Sequence, residues 1–103
     1  MKGFTELEMD VIRWGEARGI VQHAKPLGQA IKTMEEAVEL VDAINKGDIH
    51  ATKDAIGDVL VTLILNCAIL DVPITECLYQ ACQEIKDRKG RLGADGVFVK
   101  EQK

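Results

Sequence analysis

Three glutamates, Glu35, Glu36 and Glu39, lie within five positions of the segment KTMEEAVELVDAI. On a helix, Glu36 and Glu39 present their carboxylates on one face, because residues three positions apart are neighbours there. Such a face is either the solvated side of an ordinary helix or a place where acidic groups hold a cation. With 17 acidic residues in the chain, this cluster taken alone favours the solvated side.

A second pair of carboxylates, Asp54 and Asp58, changes this balance. They are one helical turn apart, and Asp58 shares its side of the helix with Leu65 and Ile69. A carboxylate at the mouth of an apolar helix side needs a proton, a basic partner or a metal ion, because burial of an uncompensated charge is costly. Asp58 therefore does not fit a plain solvated face.

The short connection around Gly47 brings the two acidic pairs together. Helices joined by so few residues form an antiparallel hairpin, in which residues equally distant from the turn lie at one level. Glu36 and Asp58 are each eleven positions from Gly47, whereas Glu39 is eight and Asp54 seven positions away. We expect the four carboxylates to face each other.

Converging carboxylates repel one another unless a cation lies among them. All-oxygen ligation suits a hard divalent cation, Mg²⁺ or Mn²⁺. The alternative is that some of these groups form ordinary ion pairs with Lys32, Lys53 or the bases near the C-terminus. We favour the metal site over the ion pairs. Its candidate ligands are Glu36, Glu39, Asp58 and Asp54.

The elements that position these residues are four predicted helices. The first opens with Thr5 and Glu8 in the spacing of a capping box and ends near Gly19. The second begins near Pro26, stops at Gly47 and carries a clean apolar stripe, which predicts a core-facing side. That stripe consists of Leu27, Ile31, Met34, Val38, Val41 and Ile44.

The third and fourth helices complete an all-α four-helix bundle. The third runs from Asp48 to Leu70 and is apolar nearly all the way round beyond Asp58, so a second subunit is expected to cover it. The fourth begins after Pro73, and a short extended tail follows at Val97 to Val99. The predicted inner face of the fourth helix consists of Leu78, Ala81, Cys82 and Ile85. We expect a homodimer or homotetramer.

Composition restricts the partners and the compartment. At 103 residues the chain is a single domain, and its net charge of −4 argues against binding to polymeric nucleic acid. The longest apolar stretch, Val59 to Leu70, is broken by Thr62 and Asn66, and the N-terminus lacks a signal-peptide pattern, so neither membrane insertion nor secretion is expected. Three cysteines without a CxxC pair indicate reduced core thiols, and hence a cytoplasmic protein.

The order of these segments resembles the MazG-like nucleotide pyrophosphohydrolases, an all-α group of NTP pyrophosphatases, and especially their short single-domain members in phages and bacteria. The resemblance covers nearly the whole chain. The matching pieces are WGEARGI, QAIKTMEEAVEL, DAIGDVLVTLI and ECLYQACQEIKDRKGR, which runs into GVFVKE. The resemblance implies Mg²⁺-dependent hydrolysis of a nucleoside triphosphate to a monophosphate and pyrophosphate.

The family signature is EExxE followed by ExxD, and this chain departs from it at one position. Glu35, Glu36 and Glu39 match the first half and Asp58 closes the second, but Ala55 stands where the family has Glu. Asp54 is the nearby carboxylate that could stand in for it. The resemblance implies Glu36, Glu39 and Asp58 as ligands and Glu35 as the base that orients water, although ligand and base could be exchanged. Ala55 favours the rival hypothesis, a catalytically weak helical module for binding or assembly.

Further residues are candidate contacts to the substrate. For the basic residues after the fourth helix, the favourable placement of positive charge at a helix C-terminus is an equally good explanation. Trp14 could stack on a base or pack in the core, Gln29 could read a base edge or simply be exposed, and Asn66 could serve the pocket or the fold. The candidates are Lys32, Gln29, Lys86, Arg88, Lys89, Arg91, Trp14 and Asn66.

Overall fold

The structure is a computed structural model that describes residues 1–101. Five helices and a two-stranded antiparallel hairpin follow one another in these residues, so the all-α class predicted from the sequence is confirmed. The helices are α1 (Phe4–Ala17), α2 (Ile20–His23), α3 (Pro26–Lys46), α4 (Ile49–Leu70) and α5 (Ile74–Ile85). The strands are β1 (Gly90–Leu92) and β2 (Phe98–Lys100), with Arg91 opposite Val99.

Two local details differ from the sequence prediction. The N-cap of α1 is Gly3, whose N–H donates to the Glu6 carboxylate at 3.5 Å, so the predicted box of Thr5 and Glu8 is wrong by two positions. Thr5 lies already inside the first turn, where its hydroxyl cannot act as a cap. The short helix α2 and the strand β1 were not predicted either, because segments of three or four residues carry too little periodicity.

A tight turn makes α3 and α4 an antiparallel hairpin, as predicted. Gly47 adopts the left-handed conformation with φ of 71°, and the Asp48 side chain caps α4 by accepting from the Ala51 N–H at 3.0 Å. Midway along the helices, the buried Thr62 hydroxyl accepts from the Thr33 hydroxyl at 2.8 Å. This bond fixes the register in which α3 faces α4.

The other helices pack around α4, which contacts α1, α2, α3 and α5. Its buried residues include Ile64 and Leu65. Gly15 lets α1 approach closely, because a Cβ at that position would lie 2.5 Å from Cδ2 of Leu65. Much of the apolar surface of α4 is therefore covered within one chain, and a second subunit over the part that stays exposed remains a prediction.

The apolar stripe of α3 faces away from the core, contrary to the sequence prediction. Its six residues are 49% to 73% exposed. The opposite side of α3 packs on α4 instead, because small or hydrogen-bonding residues such as Thr33 and Ala43 permit a close helix approach. The residues of α3 that are not exposed are Gln29, Thr33, Glu36, Leu40 and Ala43.

The exposed stripe of α3 continues onto α4. At 100° per residue in an antiparallel hairpin, Ile56, Leu60 and Leu63 of α4 lie on the same side as Met34 and Val41 of α3. These five residues are 38% to 69% exposed. We call this surface the apolar face. It lies on the side of the hairpin opposite to α1.

The last helix and the strands extend beyond the hairpin. The axis of α5 turns by 106° from that of α4, and the predicted inner face of α5 is exposed. Within the described residues, the two strands contact each other and no helix. Cys77 and Cys82 are free and exposed rather than buried, so their assignment as core thiols is wrong. The exposed face of α5 and its exposed cysteines have one cause. An amphipathic pattern identifies an apolar side of a helix but does not specify what covers it.

The whole surface is large for the mass of the chain. Its accessible area is 8109 Å², whereas a folded monomer of 11.3 kDa exposes about 5,700 Å². The radius of gyration is 16.0 Å, against about 13 Å for a compact domain of this length. Across residues 1–101, no single helix is long and apolar enough to cross a membrane, although α4 and the strongly bent α5 pass that test when taken together.

Candidate metal centre

Three of the four predicted ligands meet on the hairpin. The carboxylate oxygens of Glu36, Glu39 and Asp58 lie within 4.8 Å of one another. Helices α3 and α4 supply them from facing turns, as the equal distances from Gly47 predicted. Glu36 is buried, Asp58 is half-buried and Glu39 is exposed, so the cluster opens to solvent on one side. We call these three residues the acidic triad.

A single lysine approaches the triad closely. The Lys32 ammonium lies 3.2 Å from Oε1 of Glu36 and 3.6 Å from Oε2 of Glu35, and its hydrogen bond to Glu36 raises the pKa of Lys32. Oε2 of Glu36 is buried and has no hydrogen-bond partner among the described residues. A buried carboxylate oxygen without a donor is unusual. Lys32 therefore offsets only part of the local negative charge.

Crowding of the carboxylates affects their proton affinity. The pKa of Glu39 lies above its ordinary value of 4.5, because the protonated form of Glu39 can donate a hydrogen bond to the Glu36 carboxylate and because the charge of Glu36 disfavours ionisation. Burial, followed by the charge of Asp54, raises the pKa of Asp58 above 3.8. Both shifts mean that the folded chain disfavours the ionised forms. A bound cation would relieve the same repulsion without a proton.

The triad has the donors that a hard divalent cation requires. Mg²⁺ binds carboxylate oxygens at about 2.1 Å, so opposite ligands lie about 4.2 Å apart. The observed limit of 4.8 Å is close to this value and needs only side-chain adjustment. The buried oxygen of Glu36 without a donor among the described residues is a second observation that favours a cation at this position. Glu36, Glu39 and Asp58 would hold the ion and leave further positions for water or phosphate.

Two other predicted residues lie beside the triad. Asp54 is outside it, yet close enough for its charge to raise the pKa of Asp58. Asp54 and the buried Ala55 line an acidic groove of about 320 Å³ that reaches from the turn to Asp58. Glu35 is largely exposed and turned towards Lys32. A role for Glu35 as base and for Asp54 as ligand stays a prediction.

The remaining candidates are dispersed. The Gln29 amide donates to the Thr62 carbonyl at 3.5 Å, which gives it a contact between helices, and Oδ1 of Asn66 is buried without a partner among the described residues. Helix α4 extends roughly 18 Å beyond Asp58 before α5 begins, at a rise of about 1.5 Å per residue. The four basic candidates come after α5, and they are Lys86, Arg88, Lys89 and Arg91. The chain does not bring these four bases to its own triad.

Sequence reasoning missed a groove on the other side of Asp58. An open groove of about 490 Å³ lies between α1 and α4 there, and Asp58 is part of its wall. The signal was present, because positions 7, 10, 11 and 14 share one face of α1, but that spacing does not distinguish an open groove from a buried face. Arg18 stacks on the Trp14 ring, with its guanidinium carbon 4.5 Å from the ring centroid. The groove is lined by Leu7, Asp10, Val11, Trp14, Asp58 and Val61.

Comparison with known proteins agrees with the geometry of the hairpin. The family model for the MazG nucleotide pyrophosphohydrolase domain matches residues 26–92, which begin with α3 and end with β1. The chain belongs to the MazG family. The resemblance that the carboxylate pattern indicated is thereby confirmed, and the matched segment contains the whole acidic triad.

One phage protein is similar to this MazG-family chain. It is an uncharacterized 18.2 kDa protein in the rep-hol intergenic region of Haemophilus phage HP1, and the two are 34% identical over 65 residues. The match covers 63% of this chain and 40% of the phage protein. No solved structure matches the chain.

Proposed function

We propose that this MazG-family protein is a Mg²⁺-dependent nucleoside triphosphate pyrophosphohydrolase, with Mn²⁺ as a possible substitute. The reaction adds water to the α-phosphorus of a nucleoside triphosphate and releases a nucleoside monophosphate and pyrophosphate. The observation that carries the proposal is the acidic triad with its buried Glu36 oxygen that lacks a donor. It lies within the segment matched by the family model.

The residues of the acidic triad and its neighbours have different roles in this reaction. Glu36, Glu39 and Asp58 would hold the cation, whose charge would offset the negative charge that develops on the phosphate oxygens. Lys32 exchanges part of its pairing with Glu36 for a phosphate oxygen. Glu35 accepts a proton as the water oxygen bonds to the α-phosphorus. The bond from that phosphorus to the bridging oxygen breaks, and the pair of electrons leaves with pyrophosphate.

A panel of canonical and modified nucleoside triphosphates tests the proposal. Each is incubated with the protein and Mg²⁺, and pyrophosphate and orthophosphate are measured separately. We expect pyrophosphate and monophosphate in equal amounts, and neither product in the presence of a chelator. Release of orthophosphate, or turnover that survives chelation, would contradict the proposed reaction.

Ala55 supports a second candidate function. It is 5% exposed and lines the acidic groove at the position where the family signature has Glu. A chain that lacks this ligand could bind metal and nucleotide weakly and serve as a helical binding or assembly module. Calorimetry combined with a pyrophosphate assay separates the two functions. The module would bind Mg²⁺ and nucleotide in calorimetry but would release no pyrophosphate at any metal concentration.

We also propose that the working form is a homodimer joined through the apolar face, with a homotetramer as the alternative. The excess of about 2,400 Å² over a compact monomer exceeds the roughly 800 Å² that each partner buries in a standard interface. A second copy is the natural occupant, because a two-fold axis places the same apolar residues against each other. The triad lies on the other side of the hairpin and stays accessible.

A further inference from the structure

Helices α4 and α5 meet at a sharp corner, and one cysteine lies on each side of it. Cys67 is near the end of α4, four positions before the C-cap Asp71, and Cys77 is near the start of α5, four positions after the N-cap Pro73. Four positions correspond to about 6 Å along each helix axis. Because the axis turns by 106° at the corner, the start of α5 folds back towards the end of α4. The fold therefore brings the two cysteines together.

Backbone hydrogen bonds hold this corner. The Cys67 carbonyl accepts from the Val72 N–H at 2.9 Å, and the Pro73 carbonyl accepts from the Cys77 N–H at 3.4 Å. The Cys67 thiol is within reach to donate a hydrogen bond to the Cys77 sulfur. Both cysteines are free. The chain thus places two thiols side by side without a covalent bond between them.

The two thiols differ in their surroundings. Cys77 is exposed, whereas Cys67 is half-buried and lies with Ile64 and Ala68 in the wall of an open groove of about 390 Å³. Burial is the largest cause that raises the pKa of Cys67. Because the thiolate is the nucleophile in thiol–disulfide exchange, a thiol that keeps its proton reacts more slowly. An oxidant in solution therefore reacts first with Cys77.

We propose that Cys67 and Cys77 form a reversible disulfide, with a small-molecule disulfide such as oxidised glutathione as the oxidant. The Cys77 thiolate attacks one sulfur of the small disulfide, which forms a mixed disulfide and releases one small thiolate. Cys67 then loses its proton and attacks the Cys77 sulfur, which forms the bond within the chain and releases the second small thiolate. Each released thiolate takes up a proton that a cysteine lost. Two protein thiols are oxidised, and one small disulfide is reduced to two thiols.

This bond changes how firmly α5 is held. Helix α5 exposes every residue except the half-buried Ile74, and within the described residues α4 is the element that α5 contacts. Apolar burial therefore contributes little to the position of α5. A link between residues ten positions apart also restricts the unfolded chain, and it should lower the equilibrium constant for unfolding by roughly 100-fold. Oxidation ties α5, and with it the basic residues that follow, to α4.

The first test identifies the linked pair. The intact protein is incubated with mixtures of oxidised and reduced glutathione, the remaining thiols are alkylated, and the digested products are analysed by mass spectrometry. Trypsin does not separate the three cysteines, because no Lys or Arg lies between them, but cleavage before Asp71 and after Tyr79 does. We expect Cys67 linked to Cys77 within one chain and Cys82 alkylated. A link to Cys82, a link between two chains, or alkylation of all three would overturn the proposal.

Cysteine variants separate the two steps. Cys67→Ser removes the second nucleophile, so Cys77 should stay joined to one glutathione and no bond within the chain should form. Cys77→Ser removes the first nucleophile and should leave Cys67 largely unmodified. Cys82→Ser is the matched control, because it makes the same change at another exposed cysteine of α5 and should be oxidised like the wild type. Loss of the internal bond in Cys82→Ser would contradict the assignment.

The last measurements ask whether the fold selects the pair and whether the bond holds α5. In urea-unfolded protein, Cys77 should link preferentially to Cys82, because the shorter loop has the smaller closure entropy. In folded protein, the second step should accelerate as pH rises and Cys67 ionises. Amide hydrogen exchange in α5 should be slower after oxidation. The same pairing in folded and unfolded protein, or unchanged exchange in α5, would count against the proposal.

Discussion

The two sides of the α3 and α4 hairpin differ in chemistry, but each carries side chains that the chain itself does not fully neutralise or cover. One side carries the acidic triad, where three carboxylates share one nearby lysine. The other carries the apolar face, where large side chains remain exposed. Repulsion leaves the first side in need of a cation, and hydrophobic hydration leaves the second in need of an apolar cover. We therefore propose that each side of the hairpin is stabilised by a different kind of ligand, a cation on one side and a second subunit on the other.

The arrangement of α3 explains how one helix serves both sides. Its contact with α4 uses Thr33, Ala43 and the buried part of Glu36, which are small or polar. The large apolar residues are thereby free for a partner, and Glu36 is held at the helix contact. An α3 that packed its apolar stripe on α4 would rotate Glu36 away from Asp58. Site formation and exposure of the apolar face therefore follow from the same choice of helix face.

The largest effect is expected from Glu39→Gln on the acidic side. Removal of this charge should lower Mg²⁺-dependent turnover by at least about 100-fold, the upper end of losses on removing a partner around a metal ligand. Thermal stability without metal should rise or stay level, because repulsion with Glu36 is relieved. Glu84→Gln, a change of an exposed carboxylate on α5, is the control. A large loss of metal-free stability would mean that Glu39 is a structural ion-pair partner.

Val41→Glu tests the apolar face. A charge buried at both copies of a two-fold interface should weaken self-association by at least about 100-fold, as sedimentation would measure. Mg²⁺ affinity should not change, because the triad is on the opposite side. Leu78→Glu on α5 makes the same chemical change outside the apolar face and should leave the dimer intact. A wild-type protein that is monomeric at micromolar concentration would contradict the interface.

Ala55→Glu and Asp54→Ala sharpen the description of the acidic side. Restoring the family carboxylate in the acidic groove should tighten Mg²⁺ binding by roughly tenfold, since added ligand charge raises affinity. Asp54→Ala should weaken binding only modestly, because Asp54 lies outside the triad, whereas Asp58→Ala should abolish it. Metal titrations of the three variants decide. Equal damage from Asp54→Ala and Asp58→Ala would identify Asp54 as a direct ligand.

The smallest effect is a pH dependence of the metal-free protein. The raised pKa values of Glu39 and Asp58 mean that the folded state binds their protons more tightly than the unfolded state. Their contribution to the free energy of unfolding is most favourable at acidic pH, and it declines as pH rises from about 4 through the raised values. Urea unfolding of the wild type and of Asp58→Asn as a function of pH measures the difference in their free energies of unfolding. Mg²⁺ should reduce the pH dependence of that difference. A difference independent of pH would contradict the shifts.

The sequence predicted the helices and the facing carboxylates because both depend on local rules. Gly47 fixed the turn, and helical spacing then placed Glu36 level with Asp58. The side of α3 that packs on α4 was not predictable in the same way, because periodicity identifies an apolar stripe but not the chain that covers it. The groove between α1 and α4 was missed for a related reason. An incompletely covered core face has the same pattern as a buried one.

The hairpin also bears on the order in which the protein assembles. Glu36 and Asp58 are separated by 22 positions, and the turn at Gly47 divides that interval in the middle. Contacts between residues so close in sequence require a small loop-closure entropy, and chains dominated by them fold quickly. The metal ligands can therefore converge as soon as the hairpin forms, before either terminus has docked. A cation that binds at this stage would stabilise the hairpin during folding as well as the finished site.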